Sequence, residues 1–192
     1  MRHRILTLAL IAAVAGCATP TFAPVTHYYL EPAIEIKPVQ MIDKTLGIRP
    51  LEAARPYKHN VVYRSEGFIQ GQVKSAEWAE LPDAVVTRAL TDAIVATHRF
   101  KDVGNASDLK MPDLILTGEV RKFDEDRTVD PWVAECEVRF ELRPAEGAEP
   151  LWAATLSTRV PLEQNDISAL AAAMSRAVAQ AVQKAAAGIA AL

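Results

Sequence analysis

Residues 132–143 alternate without a fault. Trp132, Ala134, Cys136, Val138, Phe140 and Leu142 fall on one side of an extended chain, and Val133, Glu135, Glu137, Arg139, Glu141 and Arg143 on the other. A period of two is the mark of a β-strand with one packed face and one wet face. Residues 151–162 repeat the pattern, with Trp152, Ala154, Leu156, Thr158 and Val160 inward, after a turn at Glu146-Gly147. Upstream, residues 113–123 place Leu114, Leu116, Gly118 and Val120 on one face. Phe123 breaks that parity, which predicts a bulge near Lys122. Together these stretches predict a long antiparallel meander, with the acidic residues 124–130 as a solvated hairpin connection. Trp132 and Trp152 are expected to pack together on the inward face.

The apolar face of such a sheet needs a cover, and two stretches can supply it. Pro82-Asp83 is a helix start. Val86, Ala89, Leu90, Ala93, Ile94 and Thr97 then form one stripe, predicting a helix over residues 82–98. Asn165 or Asp166 caps a last helix, whose inner stripe is Leu170, Met174, Ala177, Val178, Ala181, Val182, Ala185 and Ile189. Its many alanines let it approach the sheet closely. The expected fold class is therefore α+β, a two-layer sandwich of an antiparallel or mixed sheet with two amphipathic helices on one face. Shorter strands are expected at residues 26–30, 45–49, 60–64 and 68–74, with residues 51–58 as a loop. Trp78, just before the first helix, reads as a core aromatic in preference to an exposed docking residue. Cys136 reads as a small buried apolar residue.

The N-terminus carries a different message. Arg2 and Arg4 precede a short apolar run over residues 5–14, and Ala15-Gly16 supply small residues before Cys17. This has the three parts of a secretory signal peptide. The run is too short to cross a membrane, which takes ~20 residues. A small residue directly before Cys resembles the bacterial lipobox, which implies that Cys17 becomes the lipidated mature N-terminus. Residues 1–16 are then signal peptide, 17–26 a lipidated tether rich in Pro and Thr, and 27–192 one periplasmic domain. Without Arg2 and Arg4 the 21 basic residues become 19 against 24 acids, about −5. That balance argues against a nucleic-acid partner. With Cys17 acylated, Cys136 has no cysteine to pair with.

Several further motifs resemble one family. Tyr28-Tyr29-Leu30, Gly47-Ile48-Arg49-Pro50, Val62-Tyr63-Arg64, Trp78-Ala79-Glu80-Leu81-Pro82 and Arg88-Ala89-Leu90 follow Cys17 in order and precede an Ala-rich last helix. This succession resembles the ABC-type transport auxiliary lipoprotein component family, whose members accompany transporters built around MCE-domain proteins, as in the paraquat-inducible system. Where that family often has Leu-Asp-Arg-Pro, this chain has Ala54-Arg55-Pro56-Tyr57, keeping the Arg-Pro. The resemblance implies a lipoprotein facing the periplasm of a Gram-negative cell, with an MCE-domain protein and its ABC transporter as partners. Ala18 is not the Asp that commonly retains lipoproteins at the inner membrane, so the outer membrane is expected.

No catalytic constellation, cofactor motif or metal-ligand spacing is present in the sequence, so an enzyme is not expected. The primary expectation is an adaptor docking an MCE protein, either through a sheet edge or through the wet face that bears Glu135, Glu137, Arg139 and Glu141. The alternatives are a carrier binding phospholipid between helices and sheet, and a cell-envelope export or assembly lipoprotein of similar fold.

Overall fold

The structure, a computed structural model, describes residues 24–147 and 149–192. The signal peptide, Cys17 and most of the tether lie outside the described residues. Eleven elements follow in order: β1 (Thr26–Tyr28), β2 (Ile42–Ile48), β3 (Glu52–Ala53), β4 (Asn60–Ser65), β5 (Ile69–Trp78), α1 (Pro82–Ala96), β6 (Phe100–Asn105), β7 (Leu114–Asp126), β8 (Val133–Pro144), β9 (Trp152–Pro161) and α2 (Ile167–Ala190). Among the described residues the fold is α+β, with two helices and one mixed sheet of nine strands.

The meander β7-β8-β9 is its backbone. The two antiparallel ladders run unbroken from Leu114↔Pro144 and from Val133↔Pro161, except for a register shift between Val120 and Lys122. This is the bulge that the parity of Phe123 predicts. Before it, Leu114, Leu116 and Val120 face the core; after it, Phe123 does, and Lys122, Asp124 and Asp126 turn to the opposite face. Phe123 meets Trp78 edge-on, with ring centroids 5.8 Å apart, and both are buried, so Trp78 is a core aromatic.

The chain from β2 to β4 paves the other edge of β7 with three parallel pieces. Leu46–Ile48 pair with Leu114–Leu116, Glu52-Ala53 with Glu119-Val120, and Val62–Arg64 with Asp124–Asp126. Pro50 and Pro56 fall in the gaps, where a missing N–H costs no ladder bond. The two-residue strand β3 corrects the expectation of a plain loop at 51–58. A parallel bridge fixes it, which no local pattern announces. Likewise β6, beside β2, was not expected, because its FKDVGN sequence has weak alternation.

The inner residues of β8 (Ala134, Cys136, Val138, Phe140, Leu142) are buried under α2, which also packs on β9 and on α1. Thr158 Oγ1 donates to the Ala177 carbonyl at 2.9 Å, fastening β9 to the helix. Asp166 caps α2, accepting from the Ala169 N–H at 2.8 Å. Trp132 and Trp152 do not meet. Antiparallel register sets Leu142 beside Trp152 and ties Trp132 to Leu162, so the rings sit at opposite ends of the ladder, roughly 30 Å apart. Period two gave the shared face of the two rings, while their positions along the strands follow from the hairpin turn.

Candidate functional site

The outward face of β7, β8 and β9 carries the chemistry. Glu135 on β8 has Asp124 opposite it on β7 and Arg159 opposite it on β9. Two carboxylates facing each other across a ladder repel, so the arrangement holds only because cations bridge them. Arg64, from β4, donates through Nε to Asp124 Oδ1 at 3.1 Å and through its Nη2 to Glu135. Arg159 donates to Glu135 Oε2 at 2.9 Å and to Asp126 Oδ2 at 2.7 Å. Lys122 reaches Glu135 Oε1 at 2.9 Å. Tyr57, in the segment between β3 and β4, donates to Asp124 Oδ2 at 2.7 Å.

The carboxylates sit beneath their cations. The side chains of Asp124, Asp126 and Glu135 are 0–5% exposed, whereas those of Arg64, Arg159 and Lys122 are 32–45% exposed. Burial pushes the Asp124 carboxyl above its ordinary value against the pull of Tyr57 and Arg64. Burial also opposes the charge on Asp126, but hydrogen bonds from Thr128 and then from Arg159 outweigh it and hold that carboxyl down at about 2. Burial works against the Arg64 charge, and Asp124, Glu135 and Asp126 overcome it, so the guanidinium stays above its usual range. The expected solvated hairpin is therefore corrected. Asp124–Asp126 belong to β7, and Asp124, Glu125 and Asp126 are buried. Glu125 lies on the other face, where Arg127 pairs with it at 2.6 Å and stacks over the Tyr63 and Trp132 rings at 3.9 and 4.5 Å.

The four outward residues of β8 separate into two groups. Glu135 is buried inside the ion-pair cluster, so it is not part of a wet surface. Glu137, Arg139 and Glu141 remain accessible, with Arg139 pairing to Glu141 at 3.4 Å. Beside them a cleft of about 350 Å³ is lined by Arg49, Arg121, Arg139, Glu52, Glu119 and Glu141. The chemistry on offer is mixed-charge recognition. Among the described residues no cluster of His, Cys, Asp or Glu has metal-binding geometry.

Sequence reasoning missed Arg64, Arg159, Lys122 and Tyr57 as members of the cluster. The one available signal was the bulge: it places Lys122, Asp124 and Asp126 on the face of Glu135. Arg64 and Tyr57 arrive through parallel pairing of β4 with β7, which sequence does not announce. A second feature was also unforeseen. Residues 29–41 lie across α2, where Ser175 Oγ accepts from the Glu31 N–H at 3.1 Å and Gln183 Nε2 donates to the Glu35 carbonyl at 2.9 Å. An open groove of about 720 Å³ lies between the start of this strap and α2.

A family model described as the ABC-type transport auxiliary lipoprotein component matches residues 18–186. No curated protein matches the chain. Protein XCC0632 from Xanthomonas campestris, of the family DUF330, is similar in structure, with a TM-score of 0.76 at 19% identity over 86% of this chain and 94% of that one. An uncharacterized protein gives 0.65 at 13% identity, over 85% and 99%. The hypothetical protein CT253 from Chlamydia trachomatis gives 0.50 at 10% identity, over 78% and 95%. At these identities the likeness is one of fold.

Proposed function

Because the chain belongs to the family of ABC-type transport auxiliary lipoprotein components, we propose that it is a non-enzymatic adaptor, anchored by lipid on Cys17, that docks the periplasmic MCE-domain protein of a lipid transporter at the outer membrane. The family match over residues 18–186 carries the reading. We infer further that residues 27–192 act as one domain, a two-layer sandwich with both helices on the apolar face of the sheet. The burial of α1 and α2 stripes against the inner face of β7 and β8 supports this.

Two properties of the chain favour an adaptor over a phospholipid carrier. The layer between α2 and the sheet is filled: Cys136, Val138, Phe140, Met174, Ala177 and Val178 have no exposure, leaving no room there for an acyl chain. The accessible chemistry lies on the outward face instead, where Glu137, Arg139 and Glu141 stand on a sheet stiffened by the buried cluster around Glu135. The docking surface we assign is this face. Mixed charge at a rim gives orientation and specificity to a protein contact.

The test is in-cell photo-cross-linking from position 139, followed by mass spectrometry. Recovery of an MCE-domain protein supports docking. Recovery of export or cell-wall assembly components without an MCE protein overturns it in favour of a cell-envelope assembly lipoprotein. Labelling with a clickable palmitate analogue tests the anchor separately: Cys17→Ser is expected to abolish it.

A further inference from the structure

The hairpin joining β4 to β5 ends in an aromatic residue that no described residue covers. Ser65 pairs with Ile69, leaving Glu66, Gly67 and Phe68 as the tip. Gly67 and Phe68 have φ of +72° and +61°. Glycine tolerates that conformation; for Phe it is strained. Phe68 is fully exposed, and Ile69 beside it is 56% exposed. Neither packing nor turn geometry therefore accounts for a phenylalanine at this position. Such an outlier is a reason to look for function; Met111, exposed with φ of +58°, shares it, so it is the place of Phe68 in the fold that singles it out. Val129, also exposed, lies in the β7–β8 connection at the same end of the sheet, where the Arg127 N–H donates to the Arg64 carbonyl at 2.9 Å.

The direction of β1 says what lies beyond the tip. β1 runs parallel to β5, with Thr26 beside Ala76 and Tyr28 beside Trp78. The chain thus enters the domain from the end at which β5 begins, the end that bears Phe68. From Ala76 back to Ile69 is seven residues of strand, roughly 23 Å. From Thr26 back to Cys17 is nine residues, with a reach of about 28 Å. A lipid on Cys17 and the ring of Phe68 can therefore reach one plane.

We propose that the β4–β5 hairpin tip, Phe68 with Ile69, is a second membrane contact, inserting into the interfacial layer of the phospholipid bilayer that holds the Cys17 lipid. This rests on the lipid anchor proposed above. The occupant is the apolar interface and not the anionic headgroups, because Arg64 and Arg127 at that end are paired with Asp124, Glu135 and Glu125, and Glu66 and Asp130 add negative charge. A single-point lipid tether leaves a domain free to tilt; a second contact fixes its orientation, and with it the direction in which the outward face of β8 points.

The experiment uses the full chain, processed in cells and reconstituted into phosphatidylethanolamine–phosphatidylglycerol vesicles containing phospholipid brominated near the headgroup end of its acyl chains. Phe68→Trp is compared with Met111→Trp. Met111 is also exposed, but precedes β7 and so lies at the opposite end of the sheet. With the wild-type tryptophans as baseline, the added emission of Phe68→Trp is expected to shift to the blue and to be quenched severalfold more than that of Met111→Trp. Equal quenching of the two, or none in protein that floats with the vesicles, overturns the proposal. So does an unquenched Phe68→Trp together with loss of the transporter cross-link in Phe68→Asp, which would make the tip a protein contact. Failure of the anchor reading shows separately, as palmitate labelling retained in Cys17→Ser.

Discussion

The Arg64 guanidinium lies 3.1 Å from the Asp124 carboxylate, in a cluster where Asp124 has no exposed side-chain surface and Arg64 is a third exposed. The same Arg64 group bonds Glu135 and approaches Asp126 at 3.6 Å, so one cation serves three buried or nearly buried anions. Removing one partner from such a cluster is worse than never having built it, because the remaining charges stay buried without compensation.

Arg64→Met is accordingly expected to destabilise the fold by about 3 kcal/mol, roughly 10 °C in Tm for a chain of this size. Arg64→Lys should fall between it and the wild type, since an ammonium keeps the charge but not the fork that reaches Asp124 and Glu135 together. Thermal unfolding followed by circular dichroism measures both. A Tm for Arg64→Met within a degree of the wild type would show that the cluster adds nothing.

Asp126 gives the cluster an acid limit. Its carboxyl is held down at about 2 in the folded chain against an ordinary 3.8. A lowered folded value means stability that is fully present above the unfolded value and lost as pH falls through the folded one. Between about pH 4 and pH 2 this group should withdraw about 2 kcal/mol. Asp124 and Glu125, pushed up by burial, act in the opposite sense, because the strain of keeping them charged is relieved on protonation. The difference in unfolding free energy between wild type and Asp126→Asn isolates the contribution of this carboxylate. It is expected to shrink across that window, and a difference flat with pH would refute the assignment.

Gly118 faces the backbone of β8 at close range. A Cβ there would stand 2.8 Å from the Arg139 carbonyl oxygen and 3.1 Å from Leu51. The first of these is backbone in a central ladder and cannot step aside. Gly118→Ala is expected to cost about 2 kcal/mol by chemical denaturation, despite alanine's lower backbone entropy. An unchanged denaturation midpoint would mean the ladder yields at this point.

Cys136 is fully buried under α2, and burial pushes its thiol up to about 12. With neither access nor thiolate, it should not react with a thiol reagent in the native state and should react stoichiometrically after unfolding. Rapid native-state modification would contradict its place in the core.

The faces of β8, β9 and the first ten residues of β7, the stripes of α1 and α2, a cap at Asn165 or Asp166 and the bulge beside Lys122 were all determined by the sequence itself. Each is written in a local period of 2 or 3.6, or in one residue's capping chemistry, and such signals survive reading a few residues at a time. The membership of the charged cluster was not legible in this way. Residues 124–126 look like a solvated acidic turn when taken alone. They are buried strand because β4 pairs in parallel with β7 some 60 residues away and brings Arg64 over Asp124. The strap at 29–41, the strand β6 and the separation of Trp132 from Trp152 likewise depend on register and long-range pairing. Sequence states which side of an element is apolar, because that is a property of neighbours in the chain. Which charges meet is set by how distant segments align, and only the tertiary structure decides that.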